Sequence, residues 1–387
     1  MTFLLFISSY RKHFLDDHAN SGLDWENGTI YFYLSIIAII FFLGYAFERR
    51  KMRNKRAIEL KPLIILIGLI LTCVLGLRGQ NVGKDTIVYI ESALDNLTYI
   101  WDGSGMELGF VYVNRFFGWV FSNGQISIFI FSSLTVYFII ASLWRNKNNI
   151  NIFFALGFFV GLYYFQALNL LRIYLAASFI TWGFHYIITG KMKKYIFCVL
   201  FAALFHLSSV VMLLPLAYYA LYKKSPWIAF SVLCIALFMI VSVASHFSDY
   251  LVIQRYADYG EKNDYEGGFG IMLLVDYLPG LFLLWYIWKH KITGIWADML
   301  ACFTLVAVFI RSIAYYIVIA GRLNIHFMVL YLILIPYFLN EMKANHRKEY
   351  FLFIFFLFIF LLFKIDLYFN EYLATDGIMP YYFFWND

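Results

Sequence analysis

The sequence predicts an all-α, polytopic integral membrane protein with about ten full spans and one re-entrant helical hairpin. Three observations predict it. Of 387 residues, 63% are hydrophobic and only 14% charged, too little polar surface to cover a soluble domain. Apolar runs of about 17–20 residues, long enough to cross a ~30 Å hydrocarbon core, recur from Thr29 onward. Aromatic residues reach 22%, and Tyr and Trp gather near run ends as in interfacial belts. Residues 1–387 read as one transmembrane domain with its core at 29–368. No Ser/Gly-rich linker or internal repeat suggests a second domain or a pair of transporter halves.

The elements follow in order. The opening MTFLLFI is too short for a signal-peptide core and reads as interfacial. Span 29–47 ends at ERRKMRNKRAIELK (48–61), whose seven Lys and Arg mark a cytoplasmic loop. Span 62–77 leads out to LRGQNVGKDTIVY (77–89) and the outer loop 78–125. Within that loop, 108–121 carries Asn114 and Arg115 at its centre and reads as interfacial or re-entrant. Spans 126–144, 152–168 and 170–189 put the basic turns 145–149 and 190–194 inside. As a single crossing, 195–222 would export Lys223 and Lys224 and reverse every later basic turn. It therefore reads as a hairpin folding near His206–Ser209, each half about 18 Å long at ~1.5 Å per residue. Spans 226–246, 271–288, 295–312, 322–339 and 350–368 complete the chain, with outer loop 247–270 and inner basic turns 288–291 and 342–348. Cys73, Cys198, Cys234 and Cys302 are scattered through apolar runs and read as small buried hydrophobes, not as a disulfide framework.

The charge distribution says more than topology requires. The net charge is +6, and since topology sets its distribution it carries no nucleic-acid signal. Of nine basic residues placed at the outer side beyond the N-terminal tail, six are arginines: Arg78, Arg115, Arg172, Arg255, Arg311 and Arg322. The inner side uses mostly lysine, although any cation serves topology. Arginine at the outer side points to planar recognition of phosphate or carboxylate. Snorkelling or local ion pairing is the alternative for each one singly.

The run Gly79-Gln80-Asn81-Val82-Gly83-Lys84-Asp85 imitates a Walker phosphate loop and fails the comparison. Its spacing is one residue short, Asp stands where a hydroxyl should bind Mg²⁺, and it faces away from cytoplasmic nucleotide. What remains is a turn presenting Arg78, Lys84, Asp85, Thr86 and Tyr89 at the outer surface. Asp85 and Tyr89 share a face if a helix starts there, and Asp85 is equally suited to cap that helix. Asn169 and Arg172 share a helix face in QALNLLRIY, where a charge near a membrane helix end needs a partner or a wet cavity. His206 sits at the hairpin apex. The eight histidines do not cluster with one another or with acids along the chain, so no metal site or cofactor is expected. Loop 247–270 interleaves Arg255 and Tyr259 with carboxylates, a composition suited to sugars or to plain solvation. Asp276 falls five residues inside a predicted span, and Arg311 and Arg322 flank IAYYIVIAG, where they could reach one pocket.

In register, these positions resemble the EpsG family of bacterial polysaccharide polymerases, which includes many Wzy O-antigen polymerases. The resemblance rests on R-x4-G-x-D-T-x2-Y (Arg78, Gly83, Asp85, Thr86, Tyr89), LNLLR (Asn169, Arg172), FAALFHLSS around His206, and the Arg255–Tyr259 loop, across about residues 60–340. Family members commonly read Arg-Gln where this chain has Arg172-Ile173. The resemblance implies a GT-C-like membrane fold in the bacterial inner membrane with its site facing the periplasm. It implies transfer of a growing glycan from undecaprenyl diphosphate onto a lipid-linked repeat unit. Arginines aimed at the diphosphate would stabilise its charge without a metal, and a single displacement is expected to invert the anomeric carbon. Donor and acceptor are both undecaprenyl-diphosphate-linked oligosaccharides, and a Wzz-like chain-length regulator is a possible partner alongside the bilayer. In that reading Asp85 or His206 takes the acceptor proton. Arg78, Asn169, Arg172, Arg255, Tyr259, Asp276, Arg311 and Arg322 bind diphosphate or sugar. An O-antigen ligase and a polysaccharide flippase are the competing functions.

Overall fold

A computed structural model of the chain describes residues 28–53, 57–95, 106–251, 275–313, 320–369 and 376–386. Every regular element among them is helical: α1 (Thr29–Met52), α2 (Ala57–Gly76), α3 (Thr86–Leu94), α4 (Leu108–Phe121), α5 (Gly124–Asn146), α6 (Ile152–Phe158), α7 (Leu171–Ile188), α8 (Met192–Ala203), α9 (Leu214–Tyr222), α10 (Pro226–Leu251), α11 (Leu278–His290), α12 (Ile295–Ile313), α13 (Ala320–Asn345) and α14 (Arg347–Leu367). Six of them, α1, α5, α7, α12, α13 and α14, are long and apolar enough to cross a membrane. Three of the other four expected spans, 62–77, 152–168 and 226–246, contain shorter described apolar stretches, and 271–288 contributes α11, so the structure supports a helical membrane protein but not the count of ten.

Burial follows position. α13 is mostly covered, whereas α14 leaves Phe351, Phe355 and Phe358 exposed along its length. Rings so placed suit lipid contact, since acyl chains solvate apolar side chains as readily as a protein core does. α13 packs against α12, α7 and α6, and α5 against α2, α3, α4 and α7.

The basic turns gather at one end of the bundle, as alternation requires. Lys51 Nζ donates to Ile150 O at 2.9 Å and Glu48 accepts the Ile152 N–H, tying α1 to the α5–α6 turn. Asn340 donates to Asn149 O at 3.1 Å. Lys223 pairs with Asp298 at 2.9 Å and Lys289 with Glu349 at 2.8 Å.

Segment 192–222 takes the helix–turn–helix course expected of 195–222. It leaves the basic end as α8, reverses through His206 and a 3-10 turn at Leu207–Leu213, and returns as α9. At its apex the Phe110 N–H donates to Leu204 O at 3.1 Å, far from Lys223 at its base. The amphipathic α4 buries Asn114 and Arg115 and exposes Tyr112, Phe116 and Trp119.

Three features depart from the sequence reading. The run 152–168 is not one α-helix: α6 gives way to a π-helical turn at 159–163 and a 3-10 turn at 166–168. Asp276 stands in the turn before α11, not within a helix. The C-terminal residues form a strap across the loop after α2. Gly83 N–H donates to Gly377 O at 2.7 Å, Gly79 N–H to Tyr382 O at 2.8 Å, and Phe384 N–H to Leu77 O at 3.0 Å.

Candidate functional site

At the end opposite the basic turns, the loop after α2 is braced from within. Arg78 was expected at the surface, yet it is fully buried. Its Nη1 donates to Leu75 O and its Nε to Thr86 Oγ1 at 3.1 Å, while Thr86 donates on to Val82 O at 2.7 Å. A charge that deep is costly unless its donors are matched; Nε and Nη1 are matched within the turn, so Arg78 builds it, while Nη2 has no partner among the described residues. Gly83 serves the same turn. Its φ is +87°, and a Cβ there would collide with Leu168 O, so only glycine fits without strain.

Asp85 occupies the residue before α3, but its side chain makes no capping bond. Its carboxylate instead accepts from Tyr89 Oη at 3.0 Å. Tyr89 Oη accepts from Arg172 Nε at 3.3 Å, and Arg172 Nη1 pairs with Glu107 at 2.6 Å. The Arg172 guanidinium also lies over the rings of Tyr89 (5.6 Å) and Phe110 (5.5 Å), which hold its plane. Glu107 uses its other oxygen to accept the Leu207 N–H at 3.1 Å, joining the hairpin apex to α4. Asn169 links the loop to the strap, accepting from the Asp85 N–H at 3.4 Å and donating to Asp376 at 3.3 Å.

One cleft of about 310 Å³ is lined by Asp85, Tyr89, Arg172, His206, Arg322 and Ile325, among others. Helix α3, the start of α7, the hairpin apex and the start of α13 each contribute. The structure thus brings four predicted residues together across nearly the whole sequence. A second cleft of about 440 Å³ shares Ile325 with it and contains Asp276, Asn324 and Lys364. Asp276 there pairs with Lys364 at 2.7 Å. Arg311 lines neither of these two clefts, and the segment between Arg311 and Arg322 lies mostly outside the described residues. Arg255 and Tyr259 lie outside the described residues.

The histidines, scattered in sequence, do meet in space. Ser208 Oγ lies 2.6 Å from His206 Nδ1 and 2.8 Å from His326 Nε2. No group of three or more His, Cys, Asp or Glu is arranged to hold a metal among the described residues.

Glu107, Asp376 and His326 were missed in the sequence. His326 had a signal: it stands four residues after Arg322, on the same helix face. Glu107 and Asp376 are lone acids outside any periodic pattern, and only folding shows their partners.

A helical membrane protein with a cleft of arginines, a carboxylate and an imidazole at one end is the class that fold and site define. The chain belongs to the EpsG family, whose model matches residues 61–383. EpsG is a family of Wzy-like polymerases, and membership supports a polysaccharide-polymerase role. The match extends to the strap that carries Asp376 and Gly377. No curated protein and no solved structure matches the chain.

Proposed function

We propose that the protein is a polysaccharide polymerase acting on lipid-diphosphate-linked oligosaccharides at the outer face of the bacterial inner membrane. The observation that carries this reading is the convergence of Asp85, Arg172, His206 and Arg322 on one cleft in a chain of the EpsG family. In the reaction the anomeric carbon of the donor glycan loses its bond to the undecaprenyl diphosphate oxygen. It gains a bond to an acceptor hydroxyl on the opposite face, with inversion. The bonding pair leaves on the diphosphate, whose growing charge Arg172 and Arg322 stabilise electrostatically. The acceptor proton passes to a side chain of the cleft.

The hydrogen bonds favour Asp85 over His206 for that proton. A hydroxyl donates one hydrogen, so Ser208 donates to one imidazole and accepts from the other. His326 Nδ1 is buried and has no partner among the described residues. Carrying the hydrogen on Nε2 spares His326 an orphaned N–H and directs that hydrogen to Ser208. Ser208 then donates to His206 Nδ1, and His206 keeps its one hydrogen on Nε2. Both its nitrogens are thereby committed as an acceptor and a donor, whereas the Asp85 carboxylate accepts from Tyr89 and retains lone pairs. His206 is then a hydrogen-bond donor beside the leaving group or acceptor.

Surface polysaccharide from a deletion strain tests the class. Loss of a polymerase leaves lipid core bearing a single repeat unit, whereas loss of a ligase leaves bare core. Bare core would contradict the reading.

A further inference from the structure

The second cleft differs in chemistry from the first. It is lined by Tyr163, Gln166, Tyr174, Asp276, Asn324 and Lys364 among others. Its two charges cancel, because Asp276 and Lys364 form an ion pair at 2.7 Å, so it holds no net charge for an anion. Tyr174 Oη donates to Gln166 Oε1 at 2.7 Å, leaving the Gln166 amide N–H donors for a ligand. Asn324 lines the same cleft with only 6% of its surface exposed, and its Oδ1 has no partner among the described residues. A buried carbonyl of that kind costs about 1–3 kcal/mol unless something donates to it. Tyr163 adds a largely buried ring, a flat apolar surface beside the amides.

We infer that this cleft binds the neutral, hydroxyl-rich sugar rings of the glycan, while the first cleft takes the diphosphate. The inference rests on the proposed polymerase activity and adds to it the location of the sugar. Sugar hydroxyls donate to Asn324 Oδ1 and accept from Gln166, and a pyranose face lies on Tyr163. Ile325 is common to both walls, so one extended ligand can place its charged end in one cleft and its rings in the other. The mixed chemistry argues against a prenyl chain, which would strand the Asn324 amide and the ion pair without hydrogen bonds.

The test separates binding from catalysis. Saturation-transfer NMR is recorded on the full chain in nanodiscs with free repeat-unit oligosaccharide, cleaved by mild acid from the lipid-linked precursor and carrying no phosphate. Signal transfer is expected for the wild type and for Arg172→Ala. A drop of at least about five-fold is expected for Asn324→Leu and for the charge-neutral double variant Asp276→Asn/Lys364→Met. The double variant carries the test if Asn324→Leu does not fold. No transfer to the wild type, or equal transfer to the cleft variants, overturns the inference. Polymerisation by the same preparations is scored separately. Binding that needs Asn324 without any polymer leaves the subsite standing and defeats the polymerase reading, and polymer made equally by all cleft variants does the reverse.

Discussion

Asp85 is where structure adds most to the sequence at residue scale. Sequence left it as either helix cap or base, and the absence of a capping bond with the presence of a Tyr89 contact favours the second role. Asp85→Asn keeps the shape and should lower polymer formation by about 10²–10⁴-fold, the usual contribution of a general base. His206→Gln preserves a side-chain donor and should cost much less; equal losses in the two variants would contradict the assignment. Arg172→Lys retains charge but loses the planar fork that meets Tyr89 and Glu107 together, so a loss of about 10²-fold or more in turnover is expected. Arg172 and Asn169 were readable in advance because polar groups inside apolar runs stand out. Glu107 was not, since an acid in a polar loop is unremarkable until its partner is known.

At the scale of elements, the hairpin was legible because charge placement forbids the alternative. The strap was not, because it is held by backbone bonds to a loop about three hundred residues away in the chain. The broken run 152–168 was equally hidden, since a π-turn and a 3-10 turn have the same apolar composition as an α-helix. Two predictions belong here. Gly83→Ala should destabilise the protein by more than ~1 kcal/mol, through positive φ and the collision with Leu168 O, and thermal melting in detergent will read it. Burial raises the Asp376 carboxyl above its ordinary value, against the hydrogen bonds from Tyr368 and Asn169. A raised carboxyl stabilises the folded strap fully below the ordinary carboxylate range, and that contribution fades as pH rises through the folded value. Asp376→Asn keeps both partners and should flatten the change in melting temperature between mildly acidic and neutral pH. An unchanged pH profile would exclude Asp376 as its source.

At the scale of the whole molecule, the fold class was plain from composition and run length, while the number of crossings was not. Runs near the minimum span length separate into crossing and shorter helices only when packing is known. The two-ended distribution of charge makes a direct topology prediction. Cysteines placed at Lys147 and Lys84 should react with impermeant thiol reagents from opposite faces of the membrane, against a background with the native cysteines replaced. The central claim is that the cleft polymerises lipid-diphosphate glycan through Asp85. The most direct measurement is product length on gels when the purified protein is given undecaprenyl-diphosphate-linked repeat units alone, with EDTA present. The predicted result is a ladder of lengthening chains from the wild type and none from Asp85→Asn. A ladder of equal intensity from Asp85→Asn, or no ladder from a folded wild type, would contradict it.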